Sequence, residues 1–93
     1  MTRSLLTEEQ VLSQLQELKE WTRAGAEIRK MVEYADFIRA MGFVNSVALL
    51  AERFNHHPDI DIRWNKVTLV LSTHSAGGLT ELDFRLARSI DQL

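Results

Sequence analysis

Three histidines, His56, His57 and His74, are the residues of this chain best suited to chemistry. Free imidazole titrates near about pH 6.5, so each can give or take a proton at neutral pH. His56 and His57 are adjacent and are followed by Pro58, which biases His57 toward extended backbone. His74 comes at the end of a β-prone run and leads into a loop, a common way to bring together side chains from distant positions. Taken singly, each histidine reads equally well as an unrelated surface residue. Zinc is a second reading, disfavoured because the adjacent pair lacks the i, i+4 spacing of helical ligands and the chain has no cysteine. Glu52, Asp59, Asp61 and Asp83 are the carboxylates available to orient the imidazoles. Asp83 also has a purely local reading, as the third residue of a helix whose cap it completes.

Other chemistries find no support. Gly77-Gly78 has neither the P-loop nor the dinucleotide-binding spacing. No Gly-x-Ser-x-Gly elbow presents a serine nucleophile. Eleven Lys+Arg against thirteen Asp+Glu give a net charge of −2, too little positive field for direct nucleic-acid binding. With 45% apolar and 26% charged residues the chain reads as globular, and its 93 residues as one domain over 1–93. No apolar run approaches the roughly 20 residues of a membrane span. The opening Met1-Thr2-Arg3-Ser4-Leu5-Leu6 has no signal-like core, so the expected location is cytoplasmic.

The elements that must position the histidines follow from periodicity. Thr7-Glu8-Glu9-Gln10 is a capping box, and Val11, Leu12, Leu15 and Leu18 continue at helical spacing, predicting a helix over Glu8 to Lys19. Gly25 marks a turn between a short strand at Trp21–Arg23 and a longer one at Ala26–Tyr34, whose alternation is imperfect at Lys30 and Met31. From Asp36 the period becomes helical. Phe37, Met41, Val44, Ala48 and Ala51 form one apolar stripe, and Phe43, Val47, Leu50 and Phe54 a second. A helix apolar on two faces needs two burial sites, which predicts a second subunit unless the terminal helices cover it. Ile60–Trp64 and Val67–Thr73 form a hairpin about Asn65-Lys66, Ser75–Gly78 is a loop, and Thr80-Glu81-Leu82-Asp83 caps a last helix through Leu82, Leu86, Ile90 and Leu93. The order α-β-β-α-β-β-α predicts an α+β fold, a four-stranded antiparallel sheet with helices packed on one face.

Combined in order, these pieces become specific. Glu52-Arg53-Phe54-Asn55-His56-His57-Pro58, Trp64, Ser72-Thr73-His74, Gly78-Leu79-Thr80 and Asp83 closely resemble the pterin-4a-carbinolamine dehydratase family. Flanking matches at Trp21, Phe37, Ala40, Gly42-Phe43, Val47-Ala48, Ala51 and the Leu86-Ala87…Ile90 tail extend the resemblance over about residues 5 to 91. The chain departs at Lys30, Val32 and Tyr34, where members usually carry Arg and two Phe, and at Trp64, often Tyr.

The resemblance implies a lyase that dehydrates 4a-hydroxytetrahydropterin, the product of aromatic amino acid hydroxylases, to quinonoid dihydropterin without metal or other cofactor. It implies catalysis by His56, His57 and His74. The backbone around Asn55–His57 and Ser72, Thr73 and His74 would hold the pterin, with Glu52, Pro58, Trp64 and Asp83 in support. It also implies a homodimer or homotetramer. Since relatives of this fold serve as a dimerisation cofactor or as assembly chaperones, the competing expectation is a non-enzymatic binding role.

Overall fold

The computed structural model describes residues 4–93; Met1–Arg3, part of the opening segment weighed above for a leader, lie outside them. The elements run α1 (Glu8–Leu15), β1 (Thr22–Ala24), β2 (Glu27–Glu33), α2 (Phe37–Phe54), β3 (Asp59–Arg63), β4 (Lys66–Leu71) and α3 (Glu81–Asp91), with a 3₁₀ turn at His74–Ala76. The strands form one antiparallel sheet in the order β1-β2-β4-β3. This is the expected α+β architecture.

The core is built by period-2 and period-3.6 patterns meeting face to face. Val67, Leu69 and Leu71 of β4 and Ile28 of β2 are fully buried against Phe84, Leu86, Ala87 and Ile90 of α3 and Ala40 and Val47 of α2. Lys30, the apparent flaw in β2, shares the inward parity of Ile28. Its ammonium lies 2.8 Å from Asp91 Oδ1, which also accepts the Trp21 indole N–H at 2.9 Å, and 6.0 Å from the Trp21 ring centroid. The aliphatic stem thus covers apolar surface while the charged head leaves the core edge with a partner.

Several boundaries differ from expectation. α1 stops at Leu15 rather than Lys19, because the chain tightens into i→i−3 bonds from Glu17 to Gln14 and from Leu18 to Leu15. That bend, with Glu20 left-handed at φ 63°, turns Leu18 and the buried Trp21 back toward the core. β1 accordingly begins at Thr22. The β3–β4 turn is Trp64-Asn65, one residue earlier than expected, with Arg63 paired to Lys66. Asn65 decides this register: its side-chain amide donates to the Tyr34 carbonyl at 2.7 Å and its backbone carbonyl accepts the Tyr34 N–H at 2.9 Å. Trp64 is left in a left-handed conformation, φ 55°, and 69% exposed.

The two stripes on α2 also resolve differently. Ala40, Val47 and Ala51 are buried, with Phe43, Val44, Leu50 and Phe54 packed beside them, so the whole second stripe belongs to this subunit's core. The uncovered face carries Phe37 and Ala48 of the first stripe, with Met41 half-buried beside them, together with Ile38 and Leu49, which are 81% and 74% exposed. Taking the helix at 100° per residue places Ile38 and Leu49 beside that stripe rather than opposite it.

α1 is tied to α3 by polar contacts. Glu81 accepts from the Gln14 amide at 2.6 Å and from Arg88 at 2.9 Å, and Arg88 also reaches the Gln14 carbonyl oxygen at 2.8 Å. Burial alone would raise the Glu81 carboxyl, but the Gln14 amide and the Arg88 and Arg85 charges outweigh it and hold the group below its ordinary value. A carboxyl depressed in the folded state stabilises above its unfolded pKa and loses that contribution as pH falls through the folded one. Glu81→Gln should therefore flatten the acid limb of stability as pH falls below about 5. Urea denaturation at stepped pH checks this; acid limbs of equal slope would refute it.

Candidate active site

The site begins where α2 ends. Asn55 takes the left-handed conformation at φ 50° and ψ 45°, which asparagine tolerates better than most residues, and closes the helix. The His56 N–H bonds back to the Ala51 carbonyl at 3.0 Å. This sharp turn sends neighbouring side chains opposite ways: His56 is 6% exposed and His57 is open to solvent.

His56 points at a buried carboxylate. Its Nε2 lies 2.5 Å from Asp83 Oδ1. Asp83, fully buried, accepts at Oδ2 the Thr80 N–H at 2.9 Å and the Thr73 hydroxyl at 2.8 Å. The Thr73 and Thr80 hydroxyls are 2.8 Å apart, and both residues are fully buried. Asp83 thus fills both of its expected roles: it completes the α3 cap through one oxygen and holds an imidazole through the other.

His57 is oriented by Glu52, one turn back on α2, with Nε2 2.5 Å from Oε2. Both side chains are largely exposed, so this pair contributes little to stability but does select a ring orientation. His74 enters from the far side. It opens the 3₁₀ turn, is exposed, and makes no side-chain hydrogen bond among the described residues. Its loop is closed by the Thr73 N–H to Gly78 carbonyl bond at 2.9 Å and by Gly77 in a left-handed conformation, φ 77°.

These segments enclose an open cleft of about 290 Å³ lined by Asn55, His56, His57, Ser72, His74 and Ser75. Larger hollows lie along α1 and on the outer face of the sheet, but neither contains an imidazole. The fold brings together Asn55, His56, His57, Ser72 and His74 as expected from the sequence. Ser72 braces the wall through its hydroxyl, which donates to the Ala26 carbonyl at 2.8 Å. Ser75 was not anticipated; its only signal was its place directly after His74.

Other candidates fall elsewhere. Thr73 lies outside the cleft lining, with its hydroxyl engaged by Asp83 and Thr80 and its N–H by the Gly78 carbonyl. Pro58 is half-buried just before β3 and outside the lining. Trp64 sits at the opposite end of the β3–β4 hairpin, roughly 20 Å from Ser72 along six residues of strand. Asp59 and Asp61 lie on β3, opposite Val70 and Thr68, and Asp61 pairs with Arg63 rather than with an imidazole. Among the described residues no three His, Cys, Asp or Glu side chains converge as a metal site would need. The arrangement is suited to proton exchange with a small flat molecule lying between His57 and His74.

Known proteins share this frame. A family profile described as Pterin 4 alpha carbinolamine dehydratase matches residues 4–93. A relative from Nocardia farcinica, provisionally named a pterin-4-alpha-carbinolamine dehydratase, is 56% identical over 93 residues, covering 100% of this chain and 98% of its own. A relative from Roseiflexus castenholzii with the same provisional name is 54% identical, covering 97% of each chain. Among solved structures, a transcriptional coactivator/pterin dehydratase from Brucella melitensis superposes with a TM-score of 0.90 at 36% identity, over 94% of this chain and 95% of that one. A pterin dehydratase-like RuBisCO assembly factor of the α-carboxysome shares the fold, with a TM-score of 0.64 at 18% identity over 81% and 87% of the two chains.

The geometry separates the two adjacent histidines by their cost to the fold. His56→Ala takes away a partner of a fully buried charge and should lower stability by about 3 kcal/mol or more. His57→Ala, on an exposed pair, should change it by less than about 0.5 kcal/mol. Urea midpoints at pH 7 compare them, and equal losses would contradict the burial asymmetry.

Proposed function

The chain belongs to the pterin-4a-carbinolamine dehydratase family, and from that premise we propose that it dehydrates 4a-hydroxytetrahydropterin to quinonoid dihydropterin. The observation carrying this reading is the convergence of His56, His57 and His74 on one cleft near the small end of the size range for ligand pockets, suited to a flat bicyclic ring. The family membership supplies the substrate class, and the cleft supplies the groups that such a reaction needs.

The chemistry is a loss of water. The C4a–O bond breaks as a proton reaches the leaving hydroxyl, the proton on N5 is removed, and the nitrogen electron pair forms the C4a=N5 double bond. No electrons leave the system, so histidine general acid and base groups suffice. His57 and His74 are the exposed imidazoles and carry the two proton transfers. Glu52 engages His57 Nε2, which leaves Nδ1 as the exchanging nitrogen. Asn55, Ser72 and Ser75 line the remaining surface and hold the ring in place. The domain acts as one unit over 1–93 in the cytoplasm, and the product would return to tetrahydropterin for reuse by an aromatic amino acid hydroxylase.

A second reading, a dimerisation or assembly role, is favoured by the open face of α2. Ile38 and Leu49 stand largely in water beside Phe37, Met41 and Ala48, and contiguous exposed apolar patches commonly mark protein contacts. We take the occupant to be a second copy of this chain, giving a homodimer or homotetramer; the assembly role remains compatible with an intact cleft.

His57→Ala or His74→Ala should cut the dehydration rate on synthetic carbinolamine by about 10²–10⁴ with unchanged stability, the usual weight of a positioned acid or base. Prolonged EDTA treatment should leave the wild-type rate intact. Wild-type rates in both variants would remove the assignment, and a zinc-restorable loss would replace it. Light scattering of the wild type should give a multiple of the 10.7 kDa chain mass, and Leu49→Asp should shift it toward the monomer. Val47→Asp would not serve, because Val47 is fully buried within its own subunit. A monomeric wild type at high concentration would overturn the assembly reading.

A further inference from the structure

We propose that Thr80 and Thr73 are positioning residues that form a one-way hydrogen-bond chain through Asp83, fixing the neutral tautomer of His56 with its proton on Nε2 and its Nδ1 turned away from the carboxylate. The direction follows from counting protons. Asp83 as a carboxylate has none to give, so every group touching it donates. Thr73 has a single hydroxyl proton, and it goes to Asp83 Oδ2 at 2.8 Å. In the 2.8 Å contact between the two threonine hydroxyls, Thr80 must therefore donate and Thr73 accept. The Thr80 N–H fills a further site on Oδ2 at 2.9 Å. That leaves Oδ1 for His56 alone, at 2.5 Å, and His56 must supply the proton on Nε2.

The enclosure makes the chain a fixed feature. Thr73, Thr80 and Asp83 are fully buried and His56 nearly so, so no solvent competes for these bonds. Chained donors also polarise one another in the same sense. Capping alone would require only the Thr80 N–H contact, and nothing in a helix cap calls for a hydroxyl at Thr73. The second hydroxyl is explained if Oδ2 must be saturated so that Oδ1 faces the imidazole.

The consequence concerns how His56 meets the substrate, and it rests on the dehydratase reading. With Nε2 held on Asp83, any hydrogen bond that His56 makes to the substrate ring runs through Nδ1.

The tautomer can be read without any assay of activity. Nitrogen-15 NMR of the wild type at neutral to mildly alkaline pH should show His56 with protonated Nε2 and unprotonated Nδ1. Its Nε2 proton should be shifted downfield and protected from exchange. Thr73→Val should weaken or abolish that signature and lower kcat/KM by about tenfold, the rate equivalent of one hydrogen bond to a charged group. Thr73→Ser, which keeps the hydroxyl, should restore both. A wild-type His56 protonated on Nδ1 but not on Nε2 would overturn the chain, whatever the variants do. So would a Thr73→Val protein that keeps the signature and the rate. A protein with the expected tautomer but no dehydration of carbinolamine would instead leave the chain standing and sink the proposed reaction.

Discussion

The Asp83 carboxylate is the constraint around which the rest of this small protein is arranged. A charge with no solvent contact is costly unless every lone pair in reach is satisfied. The donors come from three places: the end of α2 through His56, the end of β4 through Thr73, and the start of α3 through Thr80. The position of Asp83 in the first turn of α3 adds the favourable end of the helix dipole. None of these segments can shift alone without leaving a charge or a hydroxyl unpaired. The same requirement that closes the fold therefore brings the two histidine-bearing segments to within one cleft's width of each other.

Asn55 then separates structure from chemistry over a single residue. Had α2 continued, His56 and His57 would project about 100° apart on one helix surface. The left-handed turn instead buries the first and exposes the second. One histidine anchors the site to the core through Asp83, while the other keeps solvent access and borrows its orientation from Glu52. His74 gains a comparable placement by a different route, a loop stitched shut between Thr73 and Gly78.

Most of the architecture was legible because the apolar period changes cleanly from helix to strand and back, and both capping boxes stand where helices begin. The cleft histidines were legible from residue type and the ordered spacing of the whole set. The errors share a cause: each lies where a tertiary partner outweighed a local pattern. Asn65 moved a turn by one residue because Tyr34, distant in sequence, supplied its partners. Lys30 looked like a defect because Asp91 and Trp21 come together with it only after folding. Thr73 adjoins His74 in sequence but lies outside the cleft lining. Alternation along an extended chain puts neighbours on opposite sides, and its side chain points instead into the buried network. On α2 the apolar residues were sorted into two stripes, which omitted Ile38 and Leu49, the members of the uncovered face most exposed to water.

α2 carries both features that bear on function, and its length keeps them apart. The uncovered apolar face runs from Phe37 to Leu49, and Glu52 lies about 4.5 Å further along the axis before the turn that presents His57. A partner seated on the apolar face would contact the flank of the helix, whereas the cleft opens beyond its C-terminal end, between Asn55–His57 and Ser72–Ser75. Occupying one surface does not require closing the other. Rigid transmission between them is still available, since the buried side of the same helix is fixed to the sheet and α3 through Ala40, Val47 and Ala51. Packing on the outer face would hold that helix, and with it the pairing of Glu52 to His57, in the register that the Asp83 network already sets.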